Sequence, residues 1–229
     1  METSIAVVGG TGAEGSGLAR RFAKAGARVR IGSRNSVKAQ EVAARIAATV
    51  RLGEVTGHFN SEAVSGAGVV ILTVPLAAQT EILKSIRGGL ETGAILVEAT
   101  VPLEISIGGR ISRTLTLWDG STAQQAARLL PAGIAVVSAF HSLSAEALAK
   151  ADHPVDCDTL ICGDNAEAKS TVSQLAAMIP GVRAIDAGPL DSARLLESAA
   201  ALLISLNLRH GVKSSGMRFT GLETSGSRG

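Results

Sequence analysis

Gly10-Thr11-Gly12-Ala13-Glu14-Gly15 spells G-x-G-x-x-G between the β-rich run Ser4–Val8 and a stretch of helical spacing that starts at Gly17. In that setting each glycine has a task. Gly10 permits a tight turn, Gly12 lets a pyrophosphate approach the backbone, and Gly15 lets the helix pack close to the strand. The N–H groups of the first helical turn then face the diphosphate, helped by the helix dipole. Thr11 is placed either to cap this helix or to reach the nicotinamide side. An NAD site sets a carboxylate about twenty residues past the first glycine, on the ribose 2′-hydroxyl. Between Glu14 and Glu41 the chain has no Asp or Glu; Gly32-Ser33-Arg34 stands there instead, with Lys38 one helical turn later. A carboxylate at that place repels a 2′-phosphate, whereas a hydroxyl, a guanidinium and an ammonium attract it. Hydrogen bonds to charged groups contribute about 1.5–3 kcal/mol each, so Arg34 and Lys38 favour NADP over NAD by about a hundredfold after a discount for solvent. The other account of the two cations is an exposed basic helix start, which is unfavourable beside a helix N-terminus unless an anion compensates it.

Ligands of open parallel sheets lie beyond the carboxyl ends of the strands. That nominates Thr73-Val74-Pro75, Ala99-Thr100-Val101-Pro102 and Ser138–Leu143, each following an apolar run. Of the four histidines (58, 141, 153, 210), only His141 ends a run expected to be a core strand. It is placed to donate a hydrogen bond to a redox ring, or else to cap the strand end structurally. No nucleophile–base–acid triad stands out, which suits hydride transfer, since that reaction needs no covalent nucleophile. Asp186 and Asp191 flank Gly188-Pro189 and are expected as turn and N-cap residues. Arg194 and Glu197, three apart, suggest an intrahelical pair or a contact between subunits. Trp118 is expected to anchor an irregular arm or to cover a pocket. Cys157 and Cys162 are expected as buried, unbridged thiols on opposite faces of one strand, and no Cys/His cluster completes a metal site.

The elements that must carry these residues alternate. Strands are expected at 4–8, 27–31, 54–59, 68–74, 94–99, 134–138, 155–162 and 182–185. Helices are expected at 17–25, 37–48, 77–86, 121–130, 144–150, 165–179 and 191–210. Residues 102–120 break the rhythm as an arm or short hairpin, and 217–222 is a candidate terminal strand. Strand and helix in alternation imply an α/β fold, a doubly wound parallel sheet covered on both faces. The 229 residues, 46% hydrophobic with a net charge of +2, can bury a core and exclude disorder. Five aromatics, no Tyr and no run of five Lys/Arg argue against nucleic acid as a partner. The longest apolar stretch, Ala199–Leu208, is about half a membrane span. No signal-peptide pattern precedes the first strand, so a soluble, cytoplasmic protein is expected.

The chain resembles the F420-dependent NADP oxidoreductases. The matching pieces are GGTGAEGSGLA (9–19), IGSRNSVKA (31–39), LTVP (72–75), VSAFHSLSAEAL (137–148), VDCDTLICGDNAEAK (155–169) and DAGPLDSARLLES (186–198). They span nearly the whole chain, and 98–118 matches least. The resemblance implies a Rossmann domain over 1–140, a smaller C-terminal α/β domain over 141–222 carrying the acceptor site and dimer contacts, and a tail at 223–229. It implies a homodimer that moves a hydride between NADP(H) and the deazaflavin coenzyme F420. Cofactor contacts are implied for Thr11, Gly12, Ala13, Glu14, Ser33, Arg34 and Lys38. Nicotinamide-side contacts fall near Val74, Val101 and Leu143, and His141 falls beside the deazaflavin. Reduction of another small acceptor (a flavin, an imine, a metal chelate) and non-catalytic redox sensing both remain compatible with the residues.

Overall fold

In the computed structural model, which describes residues 4–222, the chain opens with Ile5–Val8 (β1), four consecutive buried apolar residues. Such a run makes a strand covered on both faces. It is followed by Ala13–Lys24 (α1), Arg28–Ser33 (β2), Ser36–Ala47 (α2), Glu54–Phe59 (β3), Asn60–Val64 (α3), Val69–Leu72 (β4), Leu76–Ile86 (α4) and Ile95–Glu98 (β5). Beyond an arm come Thr122–Leu129 (α5), Ala135–Ser138 (β6), Ala145–Ala149 (α6), Cys157–Gly163 (β7), Ala166–Ala177 (α7), Val182–Asp186 (β8) and Ala193–His210 (α8). The strands form one sheet in the order β3-β2-β1-β4-β5-β6-β7-β8. It is parallel from β3 to β6, β7 runs antiparallel to β6, and β8 is parallel to β7. The doubly wound α/β reading therefore stands, with β7 and β8 continuing the same sheet after one reversal.

Period-two alternation divides the core. Ile5, Val7, Val69 and Ile71 pack under α1, α2 and α7 with Leu18, Phe22, Val42 and Val172. Ala6, Val8, Val70 and Leu72 pack under α4 and α5 with Leu83, Ile86 and Ala126. Cys157 belongs to the first side and Cys162 to the second, both free and buried, as the odd spacing requires.

Several local expectations change. Residues 217–222 form no strand; the Asp158 carboxylate fastens this segment. Asp158 takes Arg183 at 2.9 and 2.6 Å, Arg218 at 2.7 Å and the Phe219 N–H at 2.7 Å. These partners hold its carboxyl down at about 2 against the opposing effect of burial. The arm at 102–120 carries a short 3-10 turn at Glu104–Ile107 and a single antiparallel bridge between Leu103 and Thr114. Trp118 is fully exposed, so it anchors nothing within this chain. Asp186 does close a turn, accepting the Gly188 N–H at 2.8 Å, but Ser192 rather than Asp191 holds the N-cap position of α8. The short α3 was not anticipated. The tail 223–229 lies outside the described residues. Among those described, no helix is long and apolar enough to cross a membrane.

Candidate functional site

The strand order reverses between β1 and β4, and the loops leaving these two strands meet there. The left-handed turn falls on Gly9 (φ 80°), not on Gly10. Gly10 is needed for closeness instead: a Cβ there would stand 2.7 Å from the Val7 carbonyl oxygen. At Gly15 a Cβ would lie 2.5 Å from Thr73 Oγ1 and 2.8 Å from the Gly10 Cα, so the helix could not sit against β4. Gly12, exposed at the N-cap of α1 with no side-chain cap, leaves its outer face open. Thr11 therefore does not cap the helix.

Two cavities meet at Gly12 and Thr73-Val74-Pro75, which line both. One, of about 360 Å³, is lined by Thr11, Ser33, Arg34, Lys38 and Asn60. Asn35 caps α2, accepting the Lys38 N–H at 3.0 Å, and its own N–H donates to Ser33 Oγ at 3.2 Å. The Arg34 and Lys38 side chains are exposed, and neither has an ion-pair partner among the described residues. The first turn of α2 contains no acid. A hydroxyl in the cavity wall and two cations at a helix start suit the 2′-phosphate of NADP and oppose the ribose contact of NAD.

The second cavity, of about 520 Å³, is lined by Ala13, Glu14, Thr100, Val101, His141 and Leu143, and α8 walls it with Leu203 and Asn207. The structure thus brings together the expected residues at the ends of β4, β5 and β6. Phe140, buried and at φ 71°, turns the chain just before His141. That conformation costs a bulky residue about 1–3 kcal/mol. The Phe140 N–H donates to Thr159 Oγ1 at 3.1 Å, and its ring meets Phe22 edge-on at 6.1 Å, so the surroundings hold the strained turn in place. The following helix α6 is locked to α1. Arg21 donates to the carbonyls of Ala147, Leu148, Lys150 and His153 at 2.7–3.1 Å, and Gly17 leaves room for Leu148.

Behind His141 lies a group of acids that sequence reasoning did not assemble. His141, Glu98 and Glu197 offer ring nitrogens and carboxylate oxygens within 4.8 Å of one another. Both His141 nitrogens are buried without a hydrogen-bond partner. Burial pushes His141 down to about 4 and Glu98 and Glu197 up to about 7. Glu14 lines the larger cavity, its carboxyl raised to about 8 by burial and then by Glu98. Glu197 is neither an intrahelical partner of Arg194 nor surface: it is buried and hydrogen-bonded to Thr122 across the fold, while Arg194 pairs with Asp191 at 3.4 Å. A lone Glu in the apolar run 95–99 and another in the apolar stretch 193–203 were the available signals.

Comparison with known proteins shows the family. Residues 4–102 match the family model "NADP oxidoreductase coenzyme F420-dependent". The F420-dependent NADP reductase of Methanothermobacter thermautotrophicus is 44% identical over 225 residues, covering 97% of each chain. That of Methanocaldococcus jannaschii is 40% identical over 223 residues, covering 96% of this chain and 99% of its own. A crystal structure from Arthrobacter sp. FB24, described as that of an F420-dependent NADP-reductase candidate, superposes with a TM-score of 0.78 at 24% identity, over 94% of this chain and 98% of its own. With identities of this size running almost end to end, the chain belongs to the F420-dependent NADP reductase family.

Proposed function

We propose that this protein transfers a hydride between NADP(H), held across the β1/β4 switch point, and coenzyme F420, held in the larger cavity under His141. The observation that carries the reading is the junction of the two cavities. A basic, acid-free pocket at Ser33, Arg34 and Lys38 opens at Gly12 and Thr73–Pro75 into a second pocket large enough for another ring. Coenzyme F420 supplies a ring carbon where a flavin has its reactive nitrogen, so it exchanges hydrides and resists one-electron steps.

What the chain must do is bind, orient and exclude water. Gly12 and the first turn of α1 hold the diphosphate, and Val74, Pro75, Val101 and Leu143 shape the slot for the nicotinamide. The slot must bring donor and acceptor carbons within about 3–3.5 Å. The His141 side chain, neutral by burial, lines this cavity with both ring nitrogens buried. The division into a dinucleotide-binding part, 1–140, and an acceptor part, 141–222, is supported by the reversal of strand direction at β6/β7.

A homodimer belongs to the same reading. Helix α8 buries Leu196, Ala200 and Leu203 but exposes Leu195, Leu202 and Leu206, an apolar side that a second copy would cover. Free, buried Cys157 and Cys162 suit a cytoplasmic location.

The test mixes purified protein with NADPH and a panel of acceptors, following the absorbance of each. F420 is expected to be reduced rapidly, with FMN and riboflavin left almost untouched. Equal rates with FMN, or faster transfer from NADH than from NADPH, would overturn the reading.

A further inference from the structure

Thr122 Oγ1 is the pivot of the buried cluster behind His141. It lies 2.7 Å from Glu98 Oε2, 2.6 Å from Glu197 Oε1 and 3.0 Å from the Thr100 carbonyl oxygen. A hydroxyl has one proton to donate, and an ionised carboxylate has none to return. Two carboxyl oxygens at hydrogen-bond distance from one hydroxyl therefore require a proton on at least one of the two acids. No Lys or Arg side chain among the described residues relieves this need. Among the described residues the other donors to the pair are Gln79 Nε2, at 3.0 Å from Glu98, and the backbone N–H groups of Thr100, Thr122 and Ala123. His141 closes the cluster with two buried nitrogens that make no hydrogen bond of normal geometry, the Thr100 backbone lying near enough to favour its protonated form.

We propose that Glu98 and Glu197, bridged by Thr122, hold a proton in common and exchange it through His141 with the acceptor ring during hydride transfer. The proposal rests on the function given above. When reduced F420 serves NADP+, the deazaflavin loses a hydride from carbon and a proton from nitrogen, while the nicotinamide takes only the hydride and its two electrons. One proton is left over. It passes to the His141 ring nitrogen and from there to whichever carboxylate of the pair is ionised, where a new O–H bond forms. The reverse reaction draws the proton back along the same route. His141, whose side chain lines the cavity, stands between the ring and the pair; Glu98 and Glu197 act through it as positioning residues.

Burial gives the route its direction. A proton on His141, whose pKa is held at about 4, moves on readily to acids raised to about 7. Glu14 of α1 faces Glu98 from the cavity side, and Cys162 of β7, itself raised to about 11 by burial, faces Glu197. Lys169 and Asp164 act on Cys162 from beyond it. The three groups are close enough to share a cation, yet both Glu98 oxygens already accept hydrogen bonds, and a proton satisfies the cluster without displacing a donor.

The test is an infrared pH titration of the protein free of cofactors, in a Glu14→Gln background so that Glu14 adds no signal. The carbonyl band of a protonated, buried carboxylic acid is expected at neutral pH and should disappear as the solution turns alkaline. Adding Glu98→Gln or Glu197→Gln should remove most of the neutral-pH band, because the one remaining carboxylate can take the Thr122 proton alone. In single turnovers of reduced F420 with NADP+, an indicator dye should register proton release after hydride transfer in the wild-type protein. In Glu98→Gln and Glu197→Gln, release should coincide with transfer. No band at neutral pH in the Glu14→Gln protein, or a band unchanged in both double variants, overturns the proposal and leaves hydride transfer intact. A normal band in the Glu14→Gln protein, together with a wild-type protein that transfers no hydride to F420, would instead sink the function.

Discussion

Arg34 and Lys38 are two cations at a helix start with no acid to answer them, an arrangement that costs stability until an anion arrives. Removing one should weaken the ground state and the transition state alike. Arg34→Ala is therefore expected to raise the KM for NADPH by about tenfold or more with kcat little changed, since the lost binding is uniform. Steady-state kinetics with NADPH and NADH checks this; an unchanged KM would show that the guanidinium does not meet the 2′-phosphate. These residues were legible in the sequence because the evidence was local: an acid missing from a known offset, and a histidine at a strand end. Glu98, Thr122 and Glu197 were not legible as a group. Each sits in its own element, and only folding brings β5, α5 and α8 to one point. Reading Glu197 with Arg194 failed for the same reason: spacing on one helix says nothing about which side that helix buries.

At the scale of elements, the site depends on segments fixed from outside it. Helix α1 carries the glycine turn at one end and, through Arg21, grips α6, so the His141 loop cannot drift from the nucleotide pocket. The segment after α8, which contributes Lys213 and Ser215 to the reaction cavity, is anchored by Asp158. Asp158→Asn is expected to lower stability at neutral pH by about 2–3 kcal/mol, because charge-assisted hydrogen bonds to Arg183 and Arg218 are lost. The sign with pH follows from the depressed pKa. The unfolded carboxyl titrates near 3.8 and the folded one near 2, so the contribution is complete above about pH 4 and vanishes as the pH falls toward 2. Urea unfolding across that range should show wild type and variant converging in acid; a constant gap would contradict the account. The sheet's elements were foreseeable from unbroken apolar runs such as Ile5–Val8 and Val69–Leu72. The arm at 102–120 and the segment 217–222 were not, since a single bridge at Leu103–Thr114 and an anchoring Asp158 leave no periodic trace.

For the whole molecule, the order of the strands does most to create function. Reversal at β1/β4 opens a crevice, the antiparallel step at β6/β7 swings the last strands and α8 round to wall its far side, and two cavities result that share one ridge. Rings bound in the two cavities would meet at that ridge, so the central claim is direct transfer of hydrogen from one to the other. The measurement that tests it most plainly is a single turnover in ordinary water with NADPH carrying deuterium at the transferable position of nicotinamide C4 and with oxidised F420 as acceptor, read by mass spectrometry. The account predicts that the deuterium appears on the deazaflavin carbon and none is lost to solvent. Reduced F420 that carries only solvent hydrogen at that carbon would contradict it.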